Sequence, residues 1–256
     1  VTNELLRSLA YGGGGDGFVA KISPSGSSLV YSMFLGGTNI DAGSGIVVDP
    51  AGVAHVTGYT RSTNFPAANG LAGGADVFVA HVAMATNVAY VADSRLMGGR
   101  GDNFAYRIAL DAEGNDYIVG SSAGDSGLPV TPSLLNPGGI FRSDDAAANW
   151  QGINSGFHSI AATALAVDPN NSAHLFAATW HGLLQSWDGG AHWDGGILLR
   201  PNVNGYASIG EVGTVLSVIF TPDSPAVIYA GSSAEGVGKS VNGGTTWNVI
   251  NDRLPN

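Results

Sequence analysis

Eight side chains in this sequence have the types needed to grip a polar, partly anionic ligand: Arg61, Arg100, Asp102, Trp180, His181, Arg200, Tyr206 and Glu211. A guanidinium can take a carboxylate through paired hydrogen bonds. Trp180 and Tyr206 offer flat apolar faces, while Asp102 and Glu211 supply acids. Asn103, His158 and Glu235 fall in stretches of the same loop-like character. If two acids flank a sugar ring, the chemistry is glycoside hydrolysis, whose inverting form needs carboxyl groups about 6.5–9.5 Å apart. Asp102 with Glu211 or Glu235 is the pair to test for that spacing. The simpler reading is that all these groups are solvated loop residues.

Other chemistries fare worse. The chain has no cysteine, which removes disulfides, thiolate metal sites and cysteine nucleophiles. Its six histidines, His55, His81, His158, His174, His181 and His192, never stand in the i, i+4 pattern of a helical zinc motif. His55 and His81 read as pleat-facing strand residues, so no metal site is expected. Asp49, Asp111 and Asp168 each end an apolar strand before a turn. Asp111-Ala-Glu-Gly-Asn-Asp116 is oxygen-rich but lacks the ligand positions of an EF-hand loop, so turn capping is the reading adopted. No cofactor is expected, with a structural calcium at such a turn as the alternative. Gly12–Gly15 and Gly98-Gly-Arg-Gly101 open no helix and precede no Lys-Ser/Thr, so they are turn glycines and not phosphate cradles. No Gly-x-Ser-x-Gly word stands at a strand-to-helix junction.

The elements that must carry these residues are written as repeats. Leu35-Gly-Gly37 returns as Met97-Gly-Gly99. Ile46-Val-Val-Asp-Pro-Ala-Gly-Val-Ala-His-Val-Thr-Gly58 returns 62 positions later as Ile108-Ala-Leu-Asp-Ala-Glu-Gly-Asn-Asp-Tyr-Ile-Val-Gly120. Asp16 with Phe18-Val-Ala-Lys21 returns as Asp76 with Phe78-Val-Ala-His81, and Asn64-Phe-Pro66 is echoed by Gly127-Leu-Pro129. Each unit alternates apolar residues at period two and breaks at a turn. In the second half a phrase Ser-x-Asp/Asn-x-Gly/Ala-x-x-Trp occurs three times. The copies run Ser143, Asp145, Trp150; Ser186, Asp188, Trp193; and Ser240, Asn242, Trp247. Its serine and acid can accept backbone N–H groups and close a turn, and its indole can wedge between sheets. Intervals of roughly 40–55 residues suit four-stranded blades. No helical pattern of useful length occurs, and 39 glycines fit many tight turns.

The first half, about residues 11–132, resembles the bacterial SBBP β-propeller repeat, on its Leu-Gly-Gly, Val-Asp-x-x-Gly, Val-Thr-Gly, Phe-Pro and Asp-x-Phe-Val-Ala-Lys words. The second half, about residues 138–250, resembles the Asp-box (BNR) repeat of sialidases and sortilin-type receptors. Ala147 replaces the usual glycine in the first box and Asn242 the usual acid in the third. These resemblances imply an all-β propeller, with SBBP-like blades over 1–137 and Asp-box blades over 138–256. Strands are expected near 17–22 and 28–35 as a half blade. A full blade follows near 45–49, 54–59, 76–82 and 88–95. The next combines 106–111 and 116–121 with Ile140–Ser143 and Trp150–Ile153. Two further blades cover about 160–199 and 214–250.

A half blade calls for further blades of the same polypeptide, or a partner chain, to complete the ring. The chain begins at Val1 without Met and is read as a processed product or part of a longer one. The repeat resemblance implies an exported bacterial protein, extracellular or on the cell surface, acting as a non-enzymatic module that binds or scaffolds a glycan or protein. A sialidase-like enzyme is the rival reading. That family needs three arginines, a Tyr–Glu pair and an acid; Arg61, Arg100 and Arg200 are available in loops, with Tyr206 and Glu211 nearby. The Arg-Ile-Pro word expected before the first box is absent, Arg107-Ile-Ala109 being the nearest approach. A structural subunit of an extracellular assembly is the third reading. With 20 acids against 10 bases, a net charge of −10 and only Lys21 and Lys239 as lysines, nucleic acid is not an expected partner. No stretch of 18 apolar residues offers a membrane span.

Overall fold

The computed structural model describes residues 11–67, 69–86, 88–123, 138–155, 162–180, 182–197, 214–222, 224–233 and 236–250. All of its regular structure is β, in four four-stranded sheets and one two-stranded sheet. The chain is an all-β protein of the propeller class, with four blades and a half. β1 (Gly17–Ile22) and β2 (Leu29–Leu35) form the half blade. β3 (Asp41–Val48), β4 (Ala54–Thr60), β5 (Asp76–Ala85) and β6 (Val88–Met97) form the next sheet. β7 (Asn103–Leu110), β8 (Asp116–Ser122), β9 (Gly138–Ser143) and β10 (Gln151–Gly152) follow, in that spatial order. The remaining sheets are β11 (Ala162–Asp168), β12 (Asn171–Thr179), β13 (Gly182–Ser186) and β14 (Asp194–Ile197), then β15 (Val215–Thr221), β16 (Ser224–Ser232), β17 (Gly236–Ser240) and β18 (Asn248–Val249). Among the described residues no helix is long and apolar enough to cross a membrane.

Within each four-stranded sheet the strand order follows chain order, with sequential strands as neighbours, the least costly way to link them. Middle strands such as β5 and β13 are buried on both faces, which explains the consecutive apolar residues Val77–Ala80 and Leu183-Leu184. β3 starts at Asp41 and β7 at Asn103, several residues before the expected 45 and 106. A bulge between Gly43 and Gly45 shifts the β3 register and breaks the period-two signal there. That bulge has a purpose in packing. Ser44 Oγ donates to the carbonyl of Ala105 on the first strand of the next sheet. A Cβ on Gly45 would sit only 3.0 Å from Arg107 Cα, so close passage of the two backbones requires glycine. β11 has its own bulge between Ala162 and Ala164, and Thr163 Oγ1 donates to Val215 O at 2.7 Å.

The chain divides into two compact units: Val1–Ile108 with Ser121–Pro129 and Ala147–Asn149, and Ala109–Gly120 with Val130–Ala146 and Trp150–Asn256. In the first, Val19, Met33 and Leu35 of the half blade share a core with Val56, Phe65, Phe78, Val82 and Leu96. In the second, one core gathers Val119, Ile140, Ile153, Leu175 and Trp193. Another gathers Phe176, Leu183, Val218, Phe220 and Ile228.

Candidate functional site

In the first unit, the loop residues named from sequence meet at Asp102. Its Oδ1 accepts the Ala75 N–H at 2.9 Å, and its Oδ2 accepts Arg61 Nη2 at 2.8 Å. The Arg61 hydrogen bond, with the Ala75 N–H behind it, holds the Asp102 carboxyl below the usual carboxylate range. Both side chains remain about a third exposed, 35% for Arg61 and 40% for Asp102. Arg100 is exposed beside them in sequence. Asn103, expected on the loop rim, instead begins β7 and is fully buried. Its Nδ2 donates to Gly101 O at 3.0 Å and its Oδ1 accepts Ser122 Oγ at 2.6 Å, so it fastens the loop from beneath. An amide flanked by turn residues looks like a loop residue in sequence; only its place at the start of β7 shows otherwise.

In the second unit, Trp180 tips the β12–β13 turn and is 63% exposed. The turn is closed by Thr179 Oγ1 donating to Gly182 O at 2.8 Å, and Gly182 takes φ +119°. His158, His181, Arg200, Tyr206, Glu211 and Glu235 lie outside the described residues. The structure therefore joins Arg61 to Asp102, leaves Arg100 and Trp180 exposed, and withdraws Asn103 from the surface.

Two histidine clusters were not legible from spacing. His55 and His81 are direct partners across β4 and β5, with ring centroids 4.2 Å apart. Asp49 lies 3.7 Å from His55 Nε2, and Asp93 lies 3.0 Å from His81 Nδ1. Imidazole and carboxylate are the ligand types a transition metal takes, and here each of these carboxylates faces its own imidazole. A search for helical i, i+4 pairs misses them because strand register, not sequence distance, sets the contact. In the second unit His174 Nδ1 contacts Asp168 Oδ2 at 3.2 Å, while its Nε2 meets the Gln185 amide nitrogen at 2.8 Å. The neutral ring satisfies both bonds, donating to the acid and accepting from the amide. Burial holds the His174 pKa below the ordinary imidazole value despite the acid beside it. Trp187 stacks on this ring at 3.8 Å with planes 3° apart. The Gln185 amide also donates to Gly243 O on the following sheet, at 3.2 Å.

The three tryptophan phrases form matching turns. Ser143, Ser186 and Ser240 each donate to the side-chain Oδ1 two residues on, at 3.0, 2.9 and 3.0 Å. Gly190 and Gly244 N–H groups donate back to Ser186 and Ser240 Oγ, both at 2.9 Å. Asn242 replaces an acid without loss, because its Oδ1 accepts Thr246 N at 2.9 Å as Asp188 Oδ1 accepts His192 N at 2.8 Å. The His192 N–H and ring pull the exposed Asp188 carboxyl down to about 2. Asp145 stands at the same position of the first turn, and Trp150 there is half-buried. Trp193 reaches back to the preceding sheet, its Nε1 donating to Ile153 O at 2.7 Å. Trp247 sets its ring edge-on to Phe176, also one sheet back, at 6.0 Å. In each turn the serine hydroxyl and the acid or amide two residues on are engaged in closing it. Asp111 behaves likewise, its Oδ1 accepting Glu113 N and Asn115 N, its Oδ2 accepting Asn115 Nδ2 and the Tyr117 hydroxyl.

No protein-family model matches the sequence, and no curated protein is recognisably similar to it. Among solved structures, the Hadza microbial sialidase Hz136 superposes over 90% of this chain and 50% of its own, with a TM-score of 0.55 at 13% identity. The GH74 enzyme of Niastella koreensis covers 93% of this chain and 43% of its own, with a TM-score of 0.49 at 15% identity. The chain thus spans about half the length of these structures. At such identities the likeness is one of fold: antiparallel four-stranded blades in sequence order.

Proposed function

We propose that this chain is a binding and scaffolding module of the propeller class, exported to the cell surface or beyond, and not a glycosidase. The observation that carries this reading is the engagement of Asp102. A general acid for glycoside cleavage needs a raised pKa and a free oxygen. Asp102 has neither: Arg61 and the Ala75 N–H take both oxygens and favour the ionised form. The same pair removes Arg61 as a free clamp for a substrate carboxylate. The exposed indole of Trp180, on a turn closed by Thr179, supports recognition by surface contact. The resemblance to SBBP and Asp-box repeats supports export and a platform role.

A panel of chromogenic glycosides, including aryl sialosides, tests the first half of the reading. No turnover above buffer is expected, and enzyme-dependent release that Asp102→Asn abolishes would overturn it. A glycan and protein array tests the second half, with loss of signal expected for Trp180→Ala.

A further inference from the structure

The half blade and the second sheet are written with the same words, yet one face that is sealed in the second lies open in the first. Asp16, Phe18, Ala20 and Ile22 of the β1 segment correspond to Asp76, Phe78, Ala80 and Val82 of β5. The cross-strand registers match as well: Phe18 opposes Phe34 as Phe78 opposes Leu96, and Ala20 opposes Ser32 as Ala80 opposes Ser94. Phe78 and Val82 are 0% exposed, whereas Phe18 is 73% and Ile22 60% exposed.

What covers the sealed copy is visible. β4 pairs along β5 from Thr60↔Asp76 to Ala54↔Val82, and Thr57 Oγ1 donates to Phe78 O at 2.8 Å. The loop after β4 then lays Phe65 on Phe78, stacked at 4.7 Å, Ser94 Oγ donates to Pro66 O, and Val19, Met33 and Leu35 of the half blade pack into the same core. In the half blade the counterpart of Ser94 is Ser32, exposed on the same face as Phe18, and β1 pairs with β2 alone among the named strands. Among the described residues, an edge paired with no strand, an exposed phenylalanine and a serine hydroxyl stand in the geometry that β4, Phe65 and Pro66 fill one sheet later.

We propose that β1–β2 is an acceptor site for a β-hairpin of the Asp41–Pro66 type: two apolar-alternating strands, followed by an Asn-aromatic-Pro loop. The second strand adds to the free edge of β1 through main-chain hydrogen bonds. The loop aromatic stacks on Phe18, and the proline carbonyl accepts the Ser32 hydroxyl. The other face of the half blade is already occupied, because Val19, Met33 and Leu35 are buried in the first unit's core. The occupant is therefore a further copy of this repeat, and not a second copy of the whole chain using blades that are already paired.

The test uses the full chain and a fluorescently labelled synthetic peptide with the sequence of residues 41–66. Saturable one-to-one binding is expected. Phe18→Asp in the protein and Phe65→Ala in the peptide should each weaken it by at least about tenfold, whereas Ile219→Asp on β15 should leave it unchanged. Phe18 is exposed, so the Phe18→Asp protein should keep its circular dichroism and melting temperature. No saturable binding, or equal binding to the Phe18→Asp protein, overturns the proposal. Sedimentation showing a dimer that Phe18→Asp dissociates, with no peptide present, overturns it too and assigns the face to a second copy.

Discussion

Gly243 and Gly244 are adjacent, both lie in the left-handed region, and only one has room for a methyl group. Gly243 has φ +67° and open space where a Cβ would go; Gly244 has φ +88°, and a Cβ there would overlap the Phe176 ring. Phe176 is fully buried and cannot swing aside into solvent. A left-handed L-residue costs about 1–2 kcal/mol, and the loss of unfolded-state freedom on replacing glycine returns about 0.4–1 kcal/mol. Gly243→Ala should therefore destabilise by about 1 kcal/mol. Gly244→Ala adds an overpacking cost of about 1–3 kcal/mol, for a total near 2–4 kcal/mol. In a protein of this size each kcal/mol moves the midpoint by about 2–4 °C, so drops of about 2–4 °C and about 4–16 °C are expected. Thermal unfolding followed by near-ultraviolet circular dichroism would read both. Phe176→Leu combined with Gly244→Ala should recover part of the larger loss, as a coupled pair does. Equal shifts for the two single variants, or no coupling to Phe176, would refute the reasoning.

Ala146 occupies the left-handed region at φ 54° without glycine's freedom, and it is exposed, so Ala146→Gly should raise stability by up to about 1 kcal/mol in a urea titration. Trp193→Phe keeps the apolar wedge but orphans the Ile153 carbonyl, and should cost about 1–3 kcal/mol by the same measurement. The His174 pKa is depressed in the folded state, so below about 6.5 the unfolded chain binds the proton more readily and stability falls as pH drops. Melting temperatures between pH 7.5 and 5 should show that loss, with a shallower slope for His174→Gln. For Asp188 the folded pKa is also depressed, so its contribution is present above about 3.9 and fades as pH falls toward about 2. Asp188→Asn should flatten the melting-temperature curve in that acid window.

The strands that alternate cleanly were legible to within a few residues, as with β1, β2 and β4, because turn residues punctuate them on both sides. β3 was read late, since the Ser44 bulge puts two consecutive residues where the pleat expects one. The tryptophan phrases were legible as turns because serine, acid and glycine have few other reasons to recur at that spacing. Asn103 was misplaced onto the rim because its role depends on Ser122 and Gly101, which no local pattern connects to it. His174 and Gln185 show the same limit: eleven residues apart, they meet only because β12 and β13 are neighbours. Pairings fixed by register are invisible to spacing rules built on helices.

The bulge hydroxyls donate forward along the chain, Ser44 to Ala105 and Thr163 to Val215, whereas the indoles lean backward, Trp193 to Ile153 and Trp247 to Phe176. The seam between the β11–β14 and β15–β18 sheets is thus laced from both sides, by Thr163 and by Trp247, with devices that need only the adjoining neighbour. Such a chain can gain or shed a whole cassette by unequal recombination and still meet a compatible seam at the new junction. Fasteners of this kind make each joint a nearest-neighbour interaction, so a blade can be judged by the one beside it.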